Sequence, residues 1–477
     1  MSAFWAQFGL SRNPFFQEPL SAGGDGATLT RFFTGRAADL ATATTRLSHD
    51  EQTRVVLLGA PGVGKTSLLN QLLATVQEPD GVRPAWLVPR LDPINLPRAS
   101  TLQDFCIEIL RHVLDMRRQV AARRPSRVAT AKRAVKAAKA AALPSAALWE
   151  RVERMVEGAL TVSPQVLGVG ITSEFTPPTA ASGAWLPLTK EALVHLVAEA
   201  GCDVVIAVNN AENLADPAAE RAGSVLADAR DIFLTPHTHW ILAGTPDFFD
   251  RSIQPHRQLA GVMGFPLTLP PLDAAAVEAL IDRRYAELRI EGAPFTPPVA
   301  VADAGALANV FVGDLRELLR ALEAAVLRLA PVRPSTVPLH AVMGSVGQEQ
   351  VALYGDVLNT AAWEHLRSVV LADPANGVIQ RFRETDAVRL LAPMRQPTVH
   401  GHKKRWIAEG FVREDGRTGA AEWFTVTGEA LLAMYPGAVA QGVPPDAFLR
   451  GRNLEQKPLA SPSARRAKPT GGRRTRS

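Results

Sequence analysis

Val55-Val56-Leu57-Leu58-Gly59-Ala60-Pro61-Gly62-Val63-Gly64-Lys65-Thr66-Ser67-Leu68-Leu69-Asn70-Gln71-Leu72-Leu73 is an apolar run, a glycine loop and a helix-forming run in immediate succession. That order predicts strand, loop, helix. The three glycines let the backbone fold around a phosphate and aim successive N–H groups inward. Lys65 is placed to reach the β- and γ-phosphates, the Thr66 hydroxyl to face Mg²⁺, and the helix N-terminus to add its partial positive charge. The stretch from Gly59 through Ser67 has the complete Walker A pattern and predicts a site for ATP or GTP with Mg²⁺.

A chain of 477 residues is too long for one core and divides into about two to four domains. No apolar run approaches the length of a membrane span, and Met1-Ser2-Ala3-Phe4-Trp5-Ala6-Gln7 lacks the charged and apolar regions of a signal peptide, so no membrane partner and a cytoplasmic location are expected. Cys106 and Cys202 lie in apolar surroundings, as buried structural thiols do. Net charge is only +5 but unevenly spread. Arg117 to Lys139 holds nine cations and no acid, and Arg465 to Arg476 holds six more. Each run fits phosphate-backbone contacts, or a solvated helix and a solvated tail respectively.

Outward from the loop, Ala85–Val88, Val204–Val208, Trp240–Ala243 and Phe265–Leu269 read as further strands between helical segments, the pattern of a parallel sheet covered on both faces. Val166–Thr172 suggests a hairpin. The expected domains are a nucleotide-binding base over 1–270 with a basic helical insertion at about 117–160, a helical lid over 271–330, a proline-marked linker over 331–356, a compact unit over 357–436 and a basic, disordered tail over 437–477.

Hydrolysis would need an acidic pair where the Val204–Val208 run ends: one carboxylate near Mg²⁺, one polarising the attacking water. Asn209 and Asn210 stand there instead. An amide at the first position can still bond a Mg²⁺-bound water; at the second it orients water but accepts no proton at neutral pH. Glu212 is either a substitute carboxylate or a solvated loop residue. Thr245, where the Trp240–Ala243 strand ends, is either a γ-phosphate contact or part of an ordinary turn. Gly313-Asp314-Leu315-Arg316 opens an amphipathic helix, with Arg316 able to face a neighbouring phosphate.

Taken with the Gly9-Leu10-Ser11-Arg12-Asn13-Pro14-Phe15 segment and Phe33-Thr34-Gly35-Arg36, this order of parts resembles the AAA+ ATPases, in the branch of replication initiators and transposition-helper ATPases. The resemblance spans roughly Phe8 to Leu329. It implies ATP as the nucleotide, Phe33–Arg36 on the adenine side, Thr245 as sensor 1, Arg316 as sensor 2, and homo-oligomers in which Arg251 or Arg257 serves as an arginine finger in a neighbour's site.

In the C-terminal unit, Thr385–Leu391 and Gln396–Glu409 read as helices, Gly410–Arg413 and Glu422–Val426 as strands around a polar turn Glu414–Gly419, and Thr427–Leu432 as a last helix. The order resembles winged-helix transcription regulators. A cationic helix bearing Thr398, His400, His402, Lys403, Lys404 and Arg405 would then lie in the major groove of duplex DNA, with Arg413 and Arg417 on the wing near phosphates. The same unit can also serve as a protein-docking module. The expected fold class is α/β: a P-loop AAA+ parallel-sheet base with a helical lid, plus a winged-helix domain. The expected function is an ATP-controlled DNA-binding switch with slow hydrolysis; the alternative is a signalling, anti-phage or mobile-element ATPase whose winged helix docks an effector protein.

Overall fold

The computed structural model describes residues 3–18, 20, 26–49, 51–77, 86–96, 101–122, 145–162, 184–209, 216–264, 266–330, 334–418 and 421–454. They form two units, Met1–Ser345 and Val346–Ser477.

The first unit is built on β1 (Arg54–Leu58), β2 (Ile94–Asn95), β3 (Val204–Asn209), β4 (Thr238–Gly244) and β5 (Leu267–Thr268). All pairings are parallel, in the order β2-β3-β4-β1-β5. β3 and β4 are buried along their whole length, which is why they read as continuous apolar runs. Its helices include α1 (Gly26–Phe32), α2 (Ala37–Leu47), α3 (Lys65–Gln77), α4 (Leu102–Ala122), α5 (Ser145–Val162), α6 (Trp185–Ala200), α7 (Asp216–Asp228), α8 (Arg257–Met263), α9 (Ala274–Leu288), α10 (Val301–Ala308) and α11 (Leu315–Leu329), followed by α12 (Leu339–Tyr354).

Strand alternation divides the core in two. Val55, Leu57, Val205, Ala207, Ile241 and Ala243 pack against Leu68, Leu69 and Leu72 of α3. Val56, Leu58, Val204, Ile206, Val208 and Trp240 face α4, α5 and α6. The phosphate loop leaves the carboxyl end of β1, where open α/β sheets gather ligands.

Several boundaries differ from expectation. Among the described residues of Ala85–Val88, Leu87 alone bridges to the sheet, at Val204, and the paired strand is Ile94–Asn95. Pro89 and Pro93 break the edge strand between them, because proline gives a ladder no N–H. Among the described residues of the expected fifth strand, Leu267–Thr268 is in register with Leu57–Leu58, and Leu269 N donates to the Leu58 carbonyl at 2.7 Å. The basic insertion is an extension of α4 to Ala122 followed by α5; its middle, 123–144, and the Val166–Thr172 hairpin lie outside the described residues. The expected linker, 331–356, carries α12, and the division between units falls inside that helix.

In the second unit, α13 (Ala361–Val370), β6 (Ile379–Arg383), α14 (Glu384–Leu390), α15 (Gln396–Ala408), β7 (Val412–Thr418), β8 (Ala421–Val426), α16 (Gly428–Ala440) and β9 (Arg452–Asn453) follow in turn. The sheet order is β7-β8-β6-β9. β7 runs on through residues expected in a turn, because Arg417 and Thr418 pair with Glu422 and Ala421. The expected tail is folded as far as residue 454: α16 continues past Pro436, Phe448 is buried against Tyr435, and β9 pairs with β6. The basic run 465–476 lies outside the described residues.

Candidate nucleotide site and cationic helix

The loop between β1 and α3 turns through two left-handed glycines, Gly62 (φ 77°) and Gly64 (φ 93°). Lys65 is 4% exposed, and its Nζ donates to the carbonyls of Gly59 and Ala60, both at 3.0 Å. A buried ammonium is held ready by two carbonyls. Arg36, also buried, donates to the Val63 and Pro270 carbonyls at 2.9 and 2.6 Å and to Asp39 at 3.0 Å, tying the loop to the chain beyond β5. Phe33, Thr34, Arg36, Lys65, Thr66 and Arg316 are among the residues that line the open cleft over the loop.

At the end of β3, Asn209 is 6% exposed and its Nδ2 donates to Thr66 Oγ1 at 3.2 Å. Its Oδ1 is buried and has no hydrogen-bond partner among the described residues. Such an atom is expensive to leave dry, so the position suits an ion's bound water. Asn95 on β2 is in register with Asn209, on the same α3-facing side of the sheet, and its Oδ1 is also without a partner among the described residues. Its signal in the sequence was an amide ending an edge strand. Asn210 and Glu212 lie outside the described residues. Thr245 is an N-cap, and its Oγ1 accepts from Phe248 N at 3.2 Å.

The far wall comes from α9 and α11. Arg316 is exposed and lines the cleft. Arg284 is 5% exposed; its Nη1 donates to Pro14 and Phe16 carbonyls, both at 2.9 Å, and its guanidinium lies 3.9 Å from the Phe16 ring centre. Burial pulls its pKa down to about 9, Arg12 nearby adds to the pull and Glu18 opposes it. Arg284 was missed, although Val277, Leu280, Ile281, Arg284 and Leu288 form one helical stripe in the sequence. Leu20 completes the wall: its N–H donates to Ser67 Oγ at 3.4 Å and its carbonyl accepts from Asn70 at 2.7 Å. Of the two finger candidates, Arg251 pairs with Asp247 at 2.8 Å, while Arg257 opens α8 and is exposed.

The second unit sorts the residues of α15. Thr398, Lys404 and Arg405 are exposed. Lys403 is not: its Nζ lies 2.8 Å from Glu384 and 3.3 Å from Glu422, with the side chain 11% exposed. The expectation that Lys403 meets DNA phosphates is therefore corrected; it is an internal tie from α15 to α14 and the wing. Val399, Lys403 and Trp406 sit at i, i+4 and i+7, so the helical period already placed it inward. Burial opposes the Lys403 charge, yet Glu384 and Glu422 hold its pKa above the ordinary value. Burial likewise works against the Glu384 carboxylate, and bonds from Lys403 and His400 carry its pKa below the usual value. His400 bonds Glu384 at 3.2 Å and stays partly exposed. His402 bonds His365 at 3.1 Å, and burial, His365 and Arg405 together lower its pKa. Arg413 is half-buried on β7; of Arg417 only the backbone pairing with Glu422 is described. Among the described residues no cluster of three or more metal-binding side chains occurs, and no helix is long and apolar enough to cross a membrane.

Residues 33–168 match the family described as AAA ATPase domain. No curated protein matches the chain in sequence. Among solved structures, the Aeropyrum pernix ORC1 protein in complex with DNA is 13% identical, with a TM-score of 0.41, over 87% of this chain and 96% of that one. The Aeropyrum pernix ORC2 protein in its ADPNP–ADP complexes is 14% identical, with a TM-score of 0.43, over 91% and 99%. Cdc6p from Pyrobaculum aerophilum is 13% identical, with a TM-score of 0.38, over 92% and 99%.

Proposed function

We propose that this chain, which carries an AAA ATPase domain on an AAA+ fold, holds ATP with Mg²⁺ as a switch for DNA binding and hydrolyses it slowly. The observation that carries the reading is the Asn209 amide bonded to Thr66 Oγ1, at the strand end where fast turnover calls for a carboxylate. Thr66 and, through water, Asn209 Oδ1 would hold Mg²⁺, which when bound neutralises charge on the β- and γ-phosphates. Lys65 supplies the fixed cation of the loop, and Arg316 brings a second from the lid. An amide takes up no proton at neutral pH, so neither Asn209 nor Asn210 can serve as a general base. Arg257 is the candidate to reach a neighbouring copy's site in a homo-oligomer.

The second unit has the order of a winged helix, and its exposed Thr398, Lys404 and Arg405 on α15 suit groove and phosphate contacts, with Arg413 on the adjoining strand. The test is duplex-DNA binding by fluorescence anisotropy without nucleotide, with ADP, with ATP and with a non-hydrolysable analogue, with turnover followed in the same samples. Tighter binding with both ATP and the analogue, alongside slow turnover, is expected. Absence of DNA binding in every state overturns the reading and favours a protein partner for the second unit. Restoring carboxylates with Asn209→Asp and Asn210→Glu together is expected to raise turnover by about 100-fold.

A further inference from the structure

Asp314 is a carboxylate 7% exposed, beside a loop built to hold phosphates. A buried charge in that position calls for a reason. Part of the reason is local: Asp314 is the N-cap of α11, and its Oδ1 accepts from the N–H groups of Arg316 and Glu317, both at 3.1 Å.

The rest lies across the cleft. A methyl group added to Gly62 would collide with Asp314, whose Oδ1, Cγ and Oδ2 are the three nearest atoms, the last at 2.9 Å. The cap of the lid helix thus rests directly on the α-carbon of the phosphate loop. Gly313, left-handed at φ 80°, is pressed just as closely on Pro271, so the turn delivering Asp314 has little freedom. Two residues on, Arg316 lines the cleft, with its own N–H held by Asp314.

We propose that Asp314 is the positioning residue that docks the lid on Gly62 of the phosphate loop and so sets Arg316 to tell ATP from ADP. The inference rests on the reading of the cleft as a nucleotide site. Capping and docking are separable. Serine caps a helix as well as aspartate does but is too short to reach Gly62, whereas asparagine keeps both shape and cap.

The test measures dissociation constants for ATP and ADP in the full-length chain and in Asp314→Ser, Asp314→Asn, Arg316→Ala, Asp314→Ser/Arg316→Ala and Lys65→Ala. The unaltered chain is expected to favour ATP by about tenfold. Asp314→Ser and Arg316→Ala should each bring the ratio of the two constants close to unity, and the double change should do no more than either alone. Asp314→Asn should keep the original ratio. Equal weakening of ATP and ADP by Asp314→Ser, additive effects in the double variant, or no ATP preference in the unaltered chain overturns the proposal. Equal nucleotide binding by Lys65→Ala and the unaltered chain would instead sink the nucleotide reading, and the proposal with it.

Discussion

The phosphate loop of the first unit and helix α15 of the second both present lysines suited to phosphate, by opposite physical means. Lys65 is buried, and two backbone carbonyls hold its ammonium before any ligand arrives. Lys404 is exposed and hydrated, one residue from a lysine locked inside. A buried, preset cation gives affinity that salt barely screens. Exposed cations give affinity that falls steeply with salt, through counterion release.

The sharpest way to break this comparison is Lys65→Ala, expected to weaken ATP binding by roughly 100-fold at any ionic strength, as measured by calorimetry. Lys404→Ala should leave ATP untouched and lower the log–log salt slope of DNA binding by about 1. A strong salt dependence of nucleotide binding would erase the contrast.

Lys403→Ala has an intermediate effect of another kind. It removes one partner from Glu384 and one from Glu422, and should destabilise the second unit by about 1–3 kcal/mol, read as faster hydrogen exchange along α15 in the full chain. Loss of DNA affinity with exchange unchanged would return Lys403 to the DNA-facing set.

The smallest expected effect is on pH dependence. Glu384 has a depressed pKa, so its contribution is complete above the ordinary carboxylate value and disappears as pH falls through the depressed one. Lys403, raised, contributes until pH climbs past its own elevated value. Thermal melts between neutral and acid pH should show a stability loss in the native chain that Glu384→Gln flattens. An unchanged acid limb in that variant would remove Glu384 from the account.

How far the sequence could be read follows from what each part requires. The phosphate loop is legible because its backbone needs glycine at fixed places, Gly62 and Gly64, whatever packs around it. β3 and β4 are legible because burial on both faces makes their central runs, Val204–Val208 and Trp240–Ala243, continuously apolar. β2 was misplaced because an edge strand broken by Pro89 and Pro93 is held by its neighbour more than by its own pattern. Lys403 and Arg284 were legible in principle, since each is a cation set into an apolar helical stripe. What no spacing gives is the partner: that Arg284 meets Pro14 and Phe16, or that Asp314 lands on Gly62, depends on tertiary packing.

Those long-range partners have a consequence for how the protein is made. Phe16, Gln17, Glu18 and Leu20 line the cleft, and this segment is tied down by Arg284, which bonds Pro14 and Phe16, and by Glu323, which Gln17 meets at 3.3 Å. During translation at about 5–20 residues per second, the roughly 300 residues between these partners take about 15–60 s to emerge. For most of that interval the phosphate loop, once made, waits for Arg284 and α11. The cleft with both its wall and α11 in place is thus complete only when synthesis has passed α11.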